Sequence, residues 1–163
     1  MKKILPFIYV ILFVIFDQIV KFLCLKKLKI IGSVKIIEDF FYLTYVENKG
    51  AAFGMLQGAR WVFIVIAFIA VIFCIVYYIR LPKNKFLKLN KVSLILITSG
   101  AIGNMIDRVF RKYVIDMFHF IFFGKEFAVF NVADILVCVG TFLLAISIIL
   151  SDEPKKINKE KED

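Results

Sequence analysis

The chain has 163 residues, 61% of them hydrophobic and 19 of them phenylalanine, with a formal net charge of +9. A soluble domain of this length lacks the polar surface to cover so much apolar side chain, so composition points to a bilayer as the solvent. The basic excess is spread through short loops and tails and forms no patch interleaved with exposed aromatics, which argues against nucleic acid as a partner.

A span needs roughly 20 mostly apolar residues to cross a hydrocarbon core of about 30 Å. Four segments qualify: residues 4–23, 61–79, 92–110 and 130–150. The chain therefore reads as a single integral membrane domain. The first span accommodates Pro6 in its first turn. It carries Asp17 and Lys21, and it lacks a small-residue cleavage site, so it reads as a retained span and not a secretory leader. Residues 24–60 form an outer loop. Within it, 34–37 and 40–46 are β-branched and aromatic runs that read either as short strands or as an irregular hydrophobic loop on the headgroups. Span two is apolar throughout, with Trp61 at one end and Tyr77-Tyr78 at the other as interfacial anchors. Span three holds Ser99-Gly100-Ala101 and Gly103, small residues that let helices approach closely. A second outer loop, 111–129, contains Asp116 and His119, and a charged tail follows at 151–163.

Lysine and arginine set the orientation. Lys2 and Lys3, then Arg80, Lys83, Lys85, Lys88 and Lys91, then Lys155, Lys156, Lys159 and Lys161 make up 11 of the 22 basic residues. By the positive-inside bias these stretches, and both termini, are cytoplasmic. Lys26, Lys27 and Lys29 on the outer side run against this bias without reversing it. Cys24, Cys74 and Cys138 form no CxxC or Cys/His spacing and read as small apolar fillers. With one histidine and no Cys/His cluster, no metal site is expected.

The polar residues inside the spans collect at one depth. Asp17 and Lys21, then Asn104, Asp107 and Arg108, then Asn131 and Asp134 all fall at outer ends, and Asn48 and Asp116 lie in outer loops. An ionised group at mid-bilayer costs at least roughly 2.5–3.5 kcal/mol, so such groups face partners or a wet cavity. Asp17–Lys21 (i,i+4) and Asp107–Arg108 read first as helix-tying ion pairs. Asp134 has no basic residue at helical spacing, and Asp116 has only Lys112, four residues before it in a stretch that need not be helical. These two carboxylates are the least satisfied locally and are the better catalytic candidates. His119, a lone loop histidine, has a weaker claim.

Five blocks in order carry a family resemblance: Asp17-Gln18-Ile19-Val20-Lys21, Asn48-Lys49-Gly50-Ala51-Ala52-Phe53, the run from Gly100 to Arg108, Val114-Ile115-Asp116-Met117, and Phe130-Asn131-Val132-Ala133-Asp134. The chain resembles the lipoprotein signal peptidases (signal peptidase II). The resemblance implies an all-α membrane protein of four transmembrane helices with a small extracytoplasmic β element, in the bacterial cytoplasmic membrane. It implies an aspartyl endopeptidase, without cofactor, that cuts lipidated prolipoproteins before the diacylglyceryl-modified cysteine. Its catalytic pair maps to Asp116 and Asp134. Substrate-binding residues map to Asn48, Gly50, Asn104, Arg108 and Asn131, and site-supporting ones to Asp17, Lys21 and Asp107. Met117 stands where the family usually has Phe, a volume that a flexible thioether can fill. The expected partners are the prolipoprotein substrate and membrane lipid, with the enzyme a monomer whose active site lies on the outer side.

Two other classes fit intramembrane carboxylates: a small transporter or proton relay, and an assembly factor whose polar groups only hold helices together. The charges stop at one depth and leave the inner half unlined, which disfavours an ion path.

Overall fold

The computed structural model describes residues 4–51, 55–81 and 86–159, the last eight as backbone alone. Four helices, α1 (Leu5–Ile31), α2 (Arg60–Arg80), α3 (Leu87–Phe110) and α4 (Val132–Lys159), are each long and apolar enough to cross a membrane. Four strands accompany them: β1 (Ser33–Ile37), β2 (Phe41–Asn48), β3 (Val114–Phe122) and β4 (Lys125–Glu126). Large apolar side chains such as Phe7, Trp61, Phe73 and Phe142 face outward, the arrangement expected where the surroundings are lipid. Lys2, Lys3, Lys83, Lys85 and Lys161, and Ala52-Phe53 of the second sequence block, lie outside the described residues.

Helix α1 departs from its expected end. It runs to Ile31, so residues 24–31 are helical and not loop. Lys26, Lys27 and Lys29 break the apolar run, but they are good helix formers, and a hydropathy limit is not a helix limit. Twenty-seven residues span about 40 Å, about 10 Å more than a hydrocarbon core of about 30 Å. The buried residues of α1 are Asp17, Lys21, Cys24 and Leu28, one stripe at i, i+4, i+7 and i+11. The charged half of that stripe faces other helices. The apolar half packs with Ile115 and Met117 of β3, so Met117 fills a core position. Gly32 ends the helix at φ 83°, its N–H donating to the carbonyl of Leu28 at 2.6 Å.

The candidate runs in the first outer loop are strands, and a third lies in the second outer loop. The sheet order is β1-β2-β3-β4, antiparallel throughout. β3 was not apparent in the sequence because Asp116 and His119 interrupt its apolar residues. Pairing with β2 supplies its ladder, and its first four residues are buried. β3 and β4 turn at Phe123 and Gly124, both with positive φ (53° and 74°), the conformation of a tight hairpin. At the end of β2 nearest the helices, Lys29 bridges Glu47 at 3.0 Å and the Tyr45 hydroxyl donates to the same carboxylate at 2.9 Å, tying α1 to the sheet.

Helix α3 packs against the other three helices. Its buried face includes Ser93, Ser99, Gly100, Gly103 and Asp107. A Cβ on Gly100 would meet the Ala133 carbonyl oxygen at 2.3 Å, and one on Gly103 would meet Asp17 Oδ2 at 2.6 Å. Farther along, a Cβ on Gly140 of α4 would meet the Ser93 carbonyl at 2.8 Å. α3 begins five residues earlier than expected and so includes Lys88 and Lys91, α4 begins at Val132 instead of residue 130, and its backbone continues past 150 into the expected tail. Gly100→Ala is expected to force α3 and α4 apart, lowering unfolding free energy by about 1–3 kcal/mol. Thermal unfolding of the purified variant in detergent measures it, and an unchanged transition would show that the contact yields easily.

Candidate active site

Strand β3 carries Asp116 into the interior, where it is 1% exposed. β2 pairs Asn48 with Val114 and Val46 with Asp116, which places the Asn48 and Asp116 side chains diagonally on one sheet face. Asn48 Nδ2 donates to Asp116 Oδ2 at 2.8 Å, and Asn131 Nδ2 donates to Asp116 Oδ1 at 2.6 Å. Burial pushes the Asp116 carboxyl up to about 6, and the negative charge of Asp134 pushes the same way, against the two amide donors.

Asp134 sits in the first turn of α4. Asn131 Oδ1 accepts from the Asp134 N–H at 3.0 Å, and Asp134 Oδ2 accepts from the Asn131 N–H at 3.1 Å. This is a reciprocal cap on the helix start, with Asn131 as the residue just outside the helix. The second oxygen, Oδ1, accepts from Asn104 Nδ2 at 2.7 Å. Asn131 thus touches both carboxylates, one through its side chain and the other through its cap.

Behind these residues lies a charged knot. Asp17, Lys21 and Asp107 are all 0% exposed. Lys21 Nζ lies 2.9 Å from Asp17 Oδ2 and 3.1 Å from Asp107 Oδ2, and donates to Asn104 Oδ1 at 3.0 Å. Asp17 Oδ1 accepts from the Ala133 N–H at 2.9 Å, and Asp107 Oδ2 from the Ile115 N–H at 3.2 Å. The expected Asp17–Lys21 pair is present, but Asp107 pairs with Lys21 and Arg111, not with Arg108. Gln18, inside the first sequence block but given no role there, donates from Nε2 to both Asp17 and Asp107 at 3.1 and 3.2 Å. It also accepts from Arg111 at 2.9 Å. Arg111 was missed because the predicted helix stops at Phe110; its i,i+4 spacing from Asp107 is the signal that could have found it.

Asn48, Gly50, Asn104, Arg108, Asp116 and Asp134 line one cavity of about 600 Å³. Apolar walls continue it along the helices through Phe63, Ile135, Cys138 and Val139. Cys138 is exposed on the cavity wall, unlike the buried Cys24 and Cys74. Arg108 donates to the Gly50 carbonyl at 3.1 Å and lies 4.8 Å over the Phe63 ring. Arg60, absent from the sequence reading, donates to the carbonyls of Arg108 and Val109 at the end of α3. His119 is away from the cavity, beside Tyr42 and Thr44 on the sheet. Among the described residues no three His, Cys, Asp or Glu side chains gather as a metal site.

Residues 9–150 match the protein family described as Signal peptidase (SPase) II. The chain belongs to the signal peptidase II family. It is 45% identical over 152 residues to the lipoprotein signal peptidase of Bacillus pumilus, covering 92% of this chain and 97% of that one. The lipoprotein signal peptidase of Caldanaerobacter subterraneus subsp. tengcongensis is 49% identical over 138 residues, with coverage of 84% and 91%. A bacterial membrane enzyme solved by the in meso method at 2.3 Å superposes with a TM-score of 0.82 at 31% identity, covering 92% of this chain and 90% of the other. As a signal peptidase II family member, the chain is a protease and a multi-pass bacterial membrane protein.

Two outcomes follow for this family member. Lys21→Met leaves Asp17 and Asp107 buried without their shared cation, which costs about 3–5 kcal/mol. Its detergent unfolding transition should fall accordingly, and a transition within error of the parent would deny the knot a structural role. The second concerns pH. A carboxyl whose pKa rises from 3.8 to about 6 on folding favours the folded state fully below 3.8, and that contribution is lost as pH climbs through 6. Asp116→Asn abolishes this dependence. Relative to the parent, the variant should gain up to about 3 kcal/mol between pH 4 and pH 7. Unfolding measured at both pH values checks it, and a constant difference would place Asp116 near its ordinary pKa.

Proposed function

We propose that this chain is a membrane-embedded aspartyl endopeptidase that removes signal peptides from diacylglyceryl-modified prolipoproteins, cutting before the lipidated cysteine. The observation that carries the reading is that Asp116 of β3 and Asp134 of α4 line one cavity and share Asn131 as a hydrogen-bonding partner. The relatives named as lipoprotein signal peptidases supply the substrate class. Two neighbouring carboxylates do not both ionise freely, so the pair shares a proton and titrates as a unit. Burial and the neighbouring Asp134 both favour the protonated form of Asp116. The ionised partner draws a proton from water as the water attacks, and the protonated one polarises the scissile carbonyl.

Asn48 and Asn104 fix the carboxylates from the cavity wall, Asn131 holds both from behind it, fully buried, and Arg108 brings guanidinium donors to the wall. Gly50, whose N–H donates to Asn48 Oδ1 at 2.9 Å, contributes backbone to the cavity wall. The apolar wall beyond Asp134 accepts acyl chains, and each buried CH₂ adds roughly 0.8 kcal/mol to membrane affinity. Lipid attached to the cysteine therefore holds the adjacent peptide bond at the depth of the dyad. In this reading both termini are cytoplasmic, the site opens on the outer side, and a monomer suffices.

Asp116→Asn and Asp134→Asn should each lower cleavage of a purified lipidated precursor by about 100-fold or more, with membrane insertion intact. The unlipidated precursor, at equal concentration in the same detergent, should be cut poorly by the parent. Substantial activity in either variant would remove that residue from the dyad, and equal cleavage of both precursors would remove lipid from substrate positioning.

A further inference from the structure

A second cavity, of about 610 Å³, lies at the opposite end of the bundle from Asp116 and Asp134. It is formed where α1 begins, α2 ends and α3 begins, with Pro6, Val10, Cys74, Leu94 and Thr98 among its walls. Its walls are apolar apart from the Thr98 and Tyr78 hydroxyls and one charged group, Lys91. From Lys91 the lining runs along α3 to Ile102, about 16 Å at the helical rise. That makes it a slot long enough for much of an acyl chain.

Among the described residues, the charge at its mouth is positive. The Lys91 ammonium lies 5.7 Å over the Tyr78 ring, and among the described residues no carboxylate pairs with it. Lys88 is exposed one turn earlier on α3, and Arg80 occupies the last turn of α2. The sequence from Arg80 to Lys91 contains no Asp or Glu, and the first turn of α3, whose N–H groups favour an anion, has no acidic residue. An apolar slot inside the membrane-spanning segments with a cationic mouth at their end matches one molecule, a phospholipid bearing net negative charge. A zwitterionic lipid would add its own ammonium to the same cluster.

We propose that this cavity binds an anionic phospholipid, with one acyl chain along α3 between α1 and α2 and the phosphate on Lys91 and Lys88. The site is separate from the candidate dyad, so it can be tested apart from catalysis. The full chain would be purified in micelles holding equal phosphatidylglycerol and phosphatidylcholine with identical acyl chains, and retained lipid counted by native mass spectrometry. Phosphatidylglycerol should be retained preferentially, by about fivefold for each lysine engaged. The preference should fall to near parity in the Lys88→Gln/Lys91→Gln variant and persist in Lys88→Arg/Lys91→Arg. Thr98→Trp, which fills the slot, should release the lipid, and Asp134→Asn should leave retention unchanged. Equal retention of the two lipids, a preference that survives both glutamines, or release by millimolar inorganic phosphate alone would overturn the proposal. Unfolding transitions near the parent's confirm that each variant is folded.

Discussion

The ammonium of Lys21, wholly removed from solvent, is held by the carboxylates of Asp17 and Asp107. Two acidic groups and one cation do not balance, and Arg111 at the edge of the knot supplies the second positive charge. None of these charges is free to change partners without leaving another exposed to a low dielectric. The helices carrying them are thereby fixed in register as well as in contact. The remaining oxygens of the knot extend that register outward. Asp17 takes the N–H of Ala133 at the start of α4, and Asp107 takes the N–H of Ile115 one residue before Asp116. Through Asn104, Lys21 also reaches Asp134. Both candidate catalytic carboxylates are placed from the same charge.

Such a cluster is an expensive way to join helices. Apolar residues of similar volume often stabilise as well or better. Its value here lies in direction. Apolar packing tolerates small slides, whereas an ion pair with further hydrogen bonds on both partners does not. The close approach of α1, α3 and α4 at Gly100 and Gly103 makes the geometry possible, since a side chain at Gly103 would occupy the position of the Asp17 carboxylate.

The spans and the polar convergence were legible because both rest on composition and period. An apolar run marks a span, and polar residues that interrupt three separate runs at one depth mark a common site. The overhang of α1 was not legible, since hydropathy reports the solvent and not the backbone. The strand character of 114–122 was hidden for a related reason: β3 earns its ladder from β2, whose Val46 and Asn48 lie far away in sequence. The partner of Asp107 was misread because adjacency in sequence put Arg108 beside it, whereas one helical turn carries Arg111 to the same face. Asn131 was placed on a helix with Asp134, but it stands outside as the cap, which is how it reaches Asp116 as well.

The sheet draws β2 from the segment between α1 and α2, and β3 from the segment between α3 and α4. Asp116 therefore meets Asn48 only after two intervening helices have been laid down, and meets Asn131 only as the last helix begins. During synthesis, no product that stops before Asp134 contains the complete constellation. The ring of donors around both carboxylates therefore closes in one late step, when the final helix forms.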